Sequence, residues 1–290
     1  AMVNKANSYR FMGGVGLNYK FNQKFSLQTM LGITFNKNRE NLFIPEIGIA
    51  PVQLDNNVGY NQTLASVQRF FSIYNDTYLT YKVDLGSNNK LVTNVGFRYN
   101  TNNTEYDTGF TYNTASDDFI TLNSGESTLR SVGGSLGKWN WLNTYANVNY
   151  VAKDKYFLSL NVAADASSRF GNQINNALTL NNVNYAVLPS LTAAWLLSSE
   201  DFMDNQKVVE SFKLRASYGL VGNDQIGNYT AKTYYTSRNF LGRQGLVRGN
   251  IGNPEIQWET NKKFNVGFDA AFLKERFSLS FDYFNHDISD

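Results

Sequence analysis

The stretch K263-FNVGFDAAFLKERFSLSFDY-F284 decides the fold. Phe264, Val266, Phe268, Ala270 and Phe272 stand one residue apart, and so do Phe277, Leu279, Phe281 and Tyr283. A period of two is the strand period, because successive side chains leave a strand on opposite faces. The intervening residues include Asn265, Gly267, Asp269, Ser278, Ser280 and Asp282, so one face is apolar and the other polar. Leu273-Lys274-Glu275-Arg276 between the runs is short enough for a hairpin. With Lys274 and Glu275 in the turn, Ala270 faces Leu279, Phe268 faces Phe281 and Val266 faces Tyr283, so both apolar rows fall on one side. That side must meet either another sheet or lipid.

The same pattern recurs upstream. Val15 to Phe21 and Phe25 to Phe35 form one pair, joined at 22–24. Leu79 to Leu85 and Leu91 to Tyr99 form a second around GSNNK, and Leu142 to Tyr150 and Tyr156 to Val162 a third around AKDK. Leu191 to Leu197 and Phe212 to Tyr218 form a fourth across SSEDFMDNQKVVES. With the opening pair this predicts ten antiparallel strands in five hairpins. The segments between hairpins, 37–69, 100–138, 168–186 and 221–257, are long and rich in Asn, Thr, Ser, Gly and Asp. Loops of that size are uncommon in compact soluble domains. Short turns alternating with long loops mark an outer-membrane barrel, whose tight turns are periplasmic and whose long loops are extracellular.

A soluble sandwich also alternates along its strands. Three features favour the barrel. The runs approach the ~9–11 residues that a tilted strand needs to cross hydrocarbon. Aromatics such as Tyr19, Phe35, Tyr99, Tyr150, Tyr218 and Tyr283 recur at the ends of the apolar rows, where an interfacial girdle would sit. The second face carries Asn, Ser, Lys, Arg and Asp instead of another apolar layer.

Composition excludes much chemistry. The 290 residues have a net charge of +2, which gives no case for nucleic acid. There is no cysteine, and His286 is the one histidine, so thiolate sites and His-rich metal clusters are excluded. No apolar run reaches the ~18 residues of a membrane-spanning helix, and AMVNKANSYRF has no signal-peptide apolar core. GGSLGK at 133–138 has Val132 and Trp139 where a phosphate loop needs Gly and Ser or Thr. The GGVG at 13–16 lacks a third glycine and lies inside a strand pattern. Asp117-Asp118 and Glu200-Asp201 read as solvated loop charges. No enzyme signature and no cofactor site survive.

Two blocks carry a family resemblance. NYVAKDKYFLSLNVAADASSRFG at 149–171 is followed by LPSLTAAWLLSSEDFM at 188–203. KLRASYGLVGNDQIGNY at 213–229 is followed by NPEIQWETNKKFNVGFDAAFLKERFSLSFDYFNHDISD at 253–290. Together they resemble the C-terminal half of SusC/RagA-type TonB-dependent outer-membrane transporters. Ala166 and Leu188 depart from the family's usual Gly and Phe. The motif positions are Ser168, Arg169, Phe170, Gly171, Tyr218, Gly219, Gly222, Asn223, Asn253, Pro254, Trp258 and Glu259.

The resemblance implies an all-β fold in which 1–290 is a single partial barrel region, about ten strands of a 22-strand transmembrane barrel. It implies no plug domain within the chain and further strands after Asp290. It places the protein in the outer membrane of a Gram-negative bacterium, among lipid and lipopolysaccharide. It implies TonB-driven import of large nutrients, glycan oligomers or peptides, under a SusD-like surface lipoprotein. A non-transporting barrel that anchors a surface complex is the competing reading, and a soluble lectin-like sandwich a third. Arg98, Asp165, Arg215, Asp269 and Asp282 share the polar parity of their strands and are expected to line the lumen.

Overall fold

The computed structural model describes residues 2–55, 57–175, 177–205, 208–240 and 243–289. Residues 206–207 of the SSEDFMDNQKVVES link and 241–242 of the last long segment lie outside the described residues.

The strands are β1 (Val3–Lys20), β2 (Phe25–Ile44), β3 (Val52–Leu54), β4 (Asn57–Gly59), β5 (Gln62–Asp84), β6 (Lys90–Tyr112), β7 (Ser131–Ala152) and β8 (Tyr156–Ser167). They continue with β9 (Leu178–Leu180), β10 (Val183–Leu196), β11 (Val209–Asn223), β12 (Tyr234–Phe240), β13 (Arg243–Asn250), β14 (Glu259–Phe272) and β15 (Phe277–Ser289). The main sheet has the order β1-β2-β5-β6-β7-β8-β10-β11-β14-β15, with β9 paired to β10. These ten path strands are the ten that the sequence pattern predicts. The small pairs β3-β4 and β12-β13 lie within connections.

The opening hairpin forms in the expected register: Val266 pairs with Tyr283, Phe268 with Phe281, Ala270 with Leu279 and Phe272 with Phe277. Phe212, Phe268 and Phe281 pack ring against ring along that face, with centroids 5.7 and 5.8 Å apart. The short turns have local causes. Asn22 Oδ1 accepts from the N–H groups of Lys24 and Phe25, closing 22–24 as an Asx turn. Lys153 and Asp154 both have positive φ, 51° and 52°, as a type I′ turn requires, and Lys155 N donates to Ala152 O.

The long segments differ from expectation. Much of 37–69 and 100–138 is strand: β2 runs on to Ile44, β5 starts at Gln62, β6 reaches Tyr112 and β7 starts at Ser131. At ~3.3 Å per residue the 23 residues of β6 extend well beyond a bilayer's hydrocarbon. Above the hydrocarbon both faces meet water, so the apolar/polar alternation disappears while backbone pairing continues.

Two compact units are distinguishable. One comprises the residues up to Val15, Leu31–Tyr74 and Asn100–Trp139; the other comprises Gly16–Met30, Asn75–Tyr99 and the residues from Asn140 onward. The first is knotted by polar groups. Asn61 accepts from Thr114 N and donates to Thr114 O and to Asp117, and Asp117 accepts from Glu46 N. That backbone bond from Glu46 is the main cause holding the Asp117 carboxyl below its usual range.

The fold has almost no apolar core. Among the described residues only Phe43, Ala166, Ala186 and Ala270 are buried hydrophobics. The alternating rows are instead open, with Leu160 46% and Phe281 55% exposed.

Candidate functional site: the polar face and the loop hub

The polar face is held by side chains that the strand period puts beside one another. Arg98 on β6 donates from Nε to Asp76 Oδ2 on β5 (3.2 Å), and its guanidinium lies 4.5 Å from the centroid of the Tyr145 ring on β7. The Tyr145 hydroxyl donates to Asp76 Oδ1 (3.0 Å). Carboxamides continue the line. Thr80 donates to Asn94 (2.7 Å), Asn94 to Asn147 (3.4 Å), Asn147 to Asn161, and Ser159 to Asn149 (2.6 Å). Asp165 accepts from Asn143, its cross-strand partner.

A second group joins β11, β14 and β15. Arg215 donates to both oxygens of Asp269 (2.8 and 3.1 Å) and of Asp282 (2.6 and 2.9 Å). Ser280 donates to Asp269 (2.6 Å). Arg215 pairs in register with Gly267, and Gly267 with Asp282. A Cβ on Gly267 would stand 2.4 Å from Phe281 O and 2.7 Å from Asp282 Oδ1. The bare backbone of Gly267 therefore lets one guanidinium reach across two strands. Bidentate pairing of this kind is strong and offsets the cost of removing the charges from water.

The structure thus brings Arg215, Asp269 and Asp282 together and places Arg98 and Asp165 in separate pairs. Asp76, Asn143, Tyr145 and Gly267 complete these groups and escape a search confined to charged residues of strand parity. Asp76 lies upstream of the alternating row that begins at Leu79, and a carboxamide opposite a carboxylate carries no sequence signature.

The family motif converges on a hub where three connections meet. Asn140 and Ser168 exchange two bonds, Asn140 N to Ser168 Oγ (2.9 Å) and Ser168 N to Asn140 O (3.0 Å). Arg169 donates to Asn228 Oδ1 (2.8 Å) and to Asp224 O (3.2 Å). The Phe170 ring lies 5.3 Å from the Trp258 ring. Gly171 N donates to Ile256 O (2.8 Å) and Gln173 N to Pro254 O (2.9 Å). A Cβ on Gly171 would stand 1.9 Å from Pro254 O, so glycine alone fits. Asn253 N donates to Thr230 O (3.1 Å), and Asn253 Oδ1 accepts from Glu255 N (3.0 Å). Asn223 pairs with Glu259 and donates to its carboxylate (3.2 Å), while Gly222 lies against Leu188. Tyr218 and Gly219 stand apart from the hub, Tyr218 in the exposed apolar rows beside Leu191 and Phe264, Gly219 opposite Ser190.

A third cluster closes the link after β10. Glu200 accepts from the Tyr156 hydroxyl (2.7 Å), Trp195 Nε1 (2.9 Å) and Lys155 Nζ (3.2 Å). The Tyr156 bond first, then Trp195, hold its carboxyl at about 2. Among the described residues no group of three or more His, Cys, Asp or Glu side chains could hold a metal ion.

Comparison with known proteins agrees with this architecture. A family model described as "TonB dependent receptor-like, beta-barrel" matches residues 3–290. "TonB-dependent receptor P26" of Formosa agariphila is 25% identical over 304 aligned residues, covering 99% of this chain and 28% of that protein. "TonB-dependent receptor SusC" of Bacteroides thetaiotaomicron is 22% identical, covering 96% of the chain and 27% of that protein. Among solved structures, the RagAB peptide importer in its 'closed-closed' state superposes with a TM-score of 0.85 at 20% identity, covering 100% of this chain and 31% of that one. The chain spans under a third of the length of these relatives. It is a SusC/RagA-type outer-membrane barrel portion and belongs to the TonB dependent receptor-like, beta-barrel family.

Proposed function

We propose that this chain is part of the wall of an active importer of large nutrients, with its apolar rows in lipid and its polar face toward the lumen. The observation that carries the reading is the distribution of the two kinds of surface. A 290-residue chain with four buried hydrophobics among its described residues has no soluble core to hold it. Its exposed rows (Leu17, Phe97, Leu160, Leu191, Val266 and Phe281 among them) are stable against hydrocarbon instead. This argues against the lectin-like sandwich, which would cover those rows with a second sheet.

The opposite face suits a lumen. Its charges Arg98, Arg215, Asp269 and Asp282 are met by opposite charges on the same wall, which lowers their cost where water is restricted, and Asp165 is met by the Asn143 amide. Their role is to hold the wall's polar surface in shape, against a plug or against cargo. Cargo of the glycan or peptide class fits a face of amides, hydroxyls and Tyr side chains. The hub of Arg169, Gly171 and Trp258 fixes the roots of the extracellular connections. Beyond it the hairpin β12-β13 exposes Tyr235 and Phe240 with Arg238, Arg243 and Arg248, and aromatic residues and arginine are enriched at protein interfaces. We assign this hairpin to contact with a SusD-like lipoprotein.

The test is uptake by the intact protein in its own cells. Deleting the gene abolishes growth on one class of oligomer, glycan or peptide, and complementation restores it only with a functional TonB and an intact proton-motive force. Growth unchanged on every oligomer, with loss of a surface complex instead, would establish the anchoring barrel.

A further inference from the structure

On β1 and β2 the outward row changes character toward the long connections. On β1 the row Val15, Phe11 and Tyr9 passes to Asn7 and Lys5, and on β2 Ile33 and Phe35 pass to Lys37 and Arg39. These positions share one parity, so their side chains leave the sheet on the face of the apolar rows. Bonds on the other face give the pairing. Ser8 Oγ donates to Asn38 Oδ1 (2.7 Å) and Arg10 Nε to Asn36 Oδ1 (3.1 Å), which sets Tyr9 beside Lys37 and Asn7 beside Arg39. At ~3.3 Å per residue and a strand tilt of ~40°, Lys37 stands about 5 Å and Arg39 about 10 Å beyond the level of Phe35.

The three cations are unmatched. The side chains of Lys5, Lys37 and Arg39 make no hydrogen bond or ion pair among the described residues, whereas Arg69 on β5 is bound to Glu105 (2.7 Å). Glu40, next to Arg39 in sequence, leaves β2 on the opposite face. Lys5 and Arg39 also line a cleft of about 370 Å³ whose other walls are mostly apolar, with Val3, Phe43 and Ala65 from the strands and Ile120 from the connection after β6. Cations set beside apolar side chains suit an amphipathic anion.

Height and face select that anion. On the barrel-wall reading the long connections lie outside the cell. The outer leaflet there is built of lipopolysaccharide, whose glucosamine phosphates stand directly above its acyl chains. Phosphates packed so closely repel one another and require cations between them. A guanidinium fork pairs with phosphate through two parallel bonds, and lysine adds a point charge. A ligand carried through the lumen never meets this face.

We propose that Lys5, Lys37 and Arg39 form a binding site for the phosphorylated glucosamine head of lipopolysaccharide, with the cleft beside Ile120 receiving an apolar part of the same molecule. The inference rests on the barrel-wall reading and gives its outward face a specific lipid partner.

The full-length protein is purified in detergent, stripped of lipid and titrated with bisphosphorylated lipid A, bound copies being counted by native mass spectrometry. Lys5→Gln, Lys37→Gln and Arg39→Gln together weaken binding about a hundredfold, at about fivefold for each cation near an anionic lipid surface. Lipid A without phosphates binds the wild type as weakly as bisphosphorylated lipid A binds this variant. Lys20→Gln, Lys24→Gln and Lys82→Gln remove the same charge at the short turns and leave the affinity unchanged. Heat-modifiable gel mobility reports folding, and Arg39→Gln alone, about fivefold weaker, serves if the triple variant does not fold. An equal loss in the short-turn variant, equal affinity for lipid A without phosphates, phosphatidylglycerol bound as tightly as lipid A, or unchanged affinity in the folded variant would overturn the proposal. If the folded variant keeps its lipid A and releases a copurifying protein, the patch is a protein interface and the proposal is likewise overturned. The assay involves neither uptake nor membrane orientation, so a barrel that never transports can still bind lipid A, and a working importer can fail to bind it.

Discussion

Reversing the polarity of one position on each face separates a lipid-embedded wall from a two-layer soluble fold. Leu160 on β8 pairs with Val148 and Leu191 and is 46% exposed, while Asn161 pairs with Asn147 and Ser190 on the opposite face. Leu160 lies four residues beyond Tyr156, where β8 leaves its short turn. That is about 13 Å along the strand, or about 10 Å along the membrane normal at a tilt of ~40°, within an apolar band ~25 Å tall. The position is close to the midplane, where arginine on the lipid face of a barrel costs about 2–4 kcal/mol. Asn161→Arg leaves the charge in water and loses the amide contact with Asn147, a cost of about 1 kcal/mol. Leu160→Arg is therefore expected to destabilise the full-length protein by about 1–3 kcal/mol more than Asn161→Arg. Urea unfolding from lipid vesicles, followed by tryptophan fluorescence and gel mobility, measures both. Equal losses, or a larger loss at Asn161, would show two buried faces and refute the barrel assignment of the rows.

Other outcomes follow from single contacts. Gly267→Ala sets a methyl against Phe281 O and Asp282, so unfolding measurements show a loss of about 1–3 kcal/mol. Gly16→Ala, whose Cβ would meet only Thr29 O at 3.9 Å, is the control, and equal effects would end the argument for Arg215 reaching over bare backbone. Glu200 has its folded pKa lowered from 4.5 to about 2, so its contribution is complete above 4.5 and is lost as pH falls through about 2. The Trp195 indole N–H resonance should hold its bonded position at pH 4 and move only near pH 2; movement centred on 4.5 would contradict the contact. Lys153→Asn with Asp154→Gly suits the positive φ of both residues and raises stability by about 0.4–1 kcal/mol in the same urea assay. A protease site inserted near Asn123 is cut in intact cells and one near Asn88 is spared; the reverse would invert the topology.

The strands were legible wherever their two faces meet different solvents. From Phe264 to Phe272 one side meets apolar surroundings and the other polar ones, and the alternation fixed even the cross-strand partners. From Asn100 to Tyr112 both sides carry Asn, Thr, Tyr and Asp, so β6 continues through a stretch that reads as loop. Backbone pairing is insensitive to hydropathy, and hydropathy is what periodicity detects. The hub shows the opposite case. Its residues are spread from Ser168 to Glu259, and periodicity says nothing about them. The family resemblance singled them out, and the structure supplies the reason for Gly171 and Pro254: the two backbones touch.

Selection by charge found the lumen-facing candidates only in part, for a reason that bears on the wall itself. Arg98 and Arg215 were visible as charges of the right parity, yet each works through neighbours that carry no such signal: a tyrosine, a serine, a glycine. Arg215 faces two carboxylates and Arg98 one, so both cations are engaged within the wall. The uncharged Asn143 contributes differently: its carbonyl oxygen is buried without a partner among the described residues, closed off beneath the surface that the arginines beside it hold in shape.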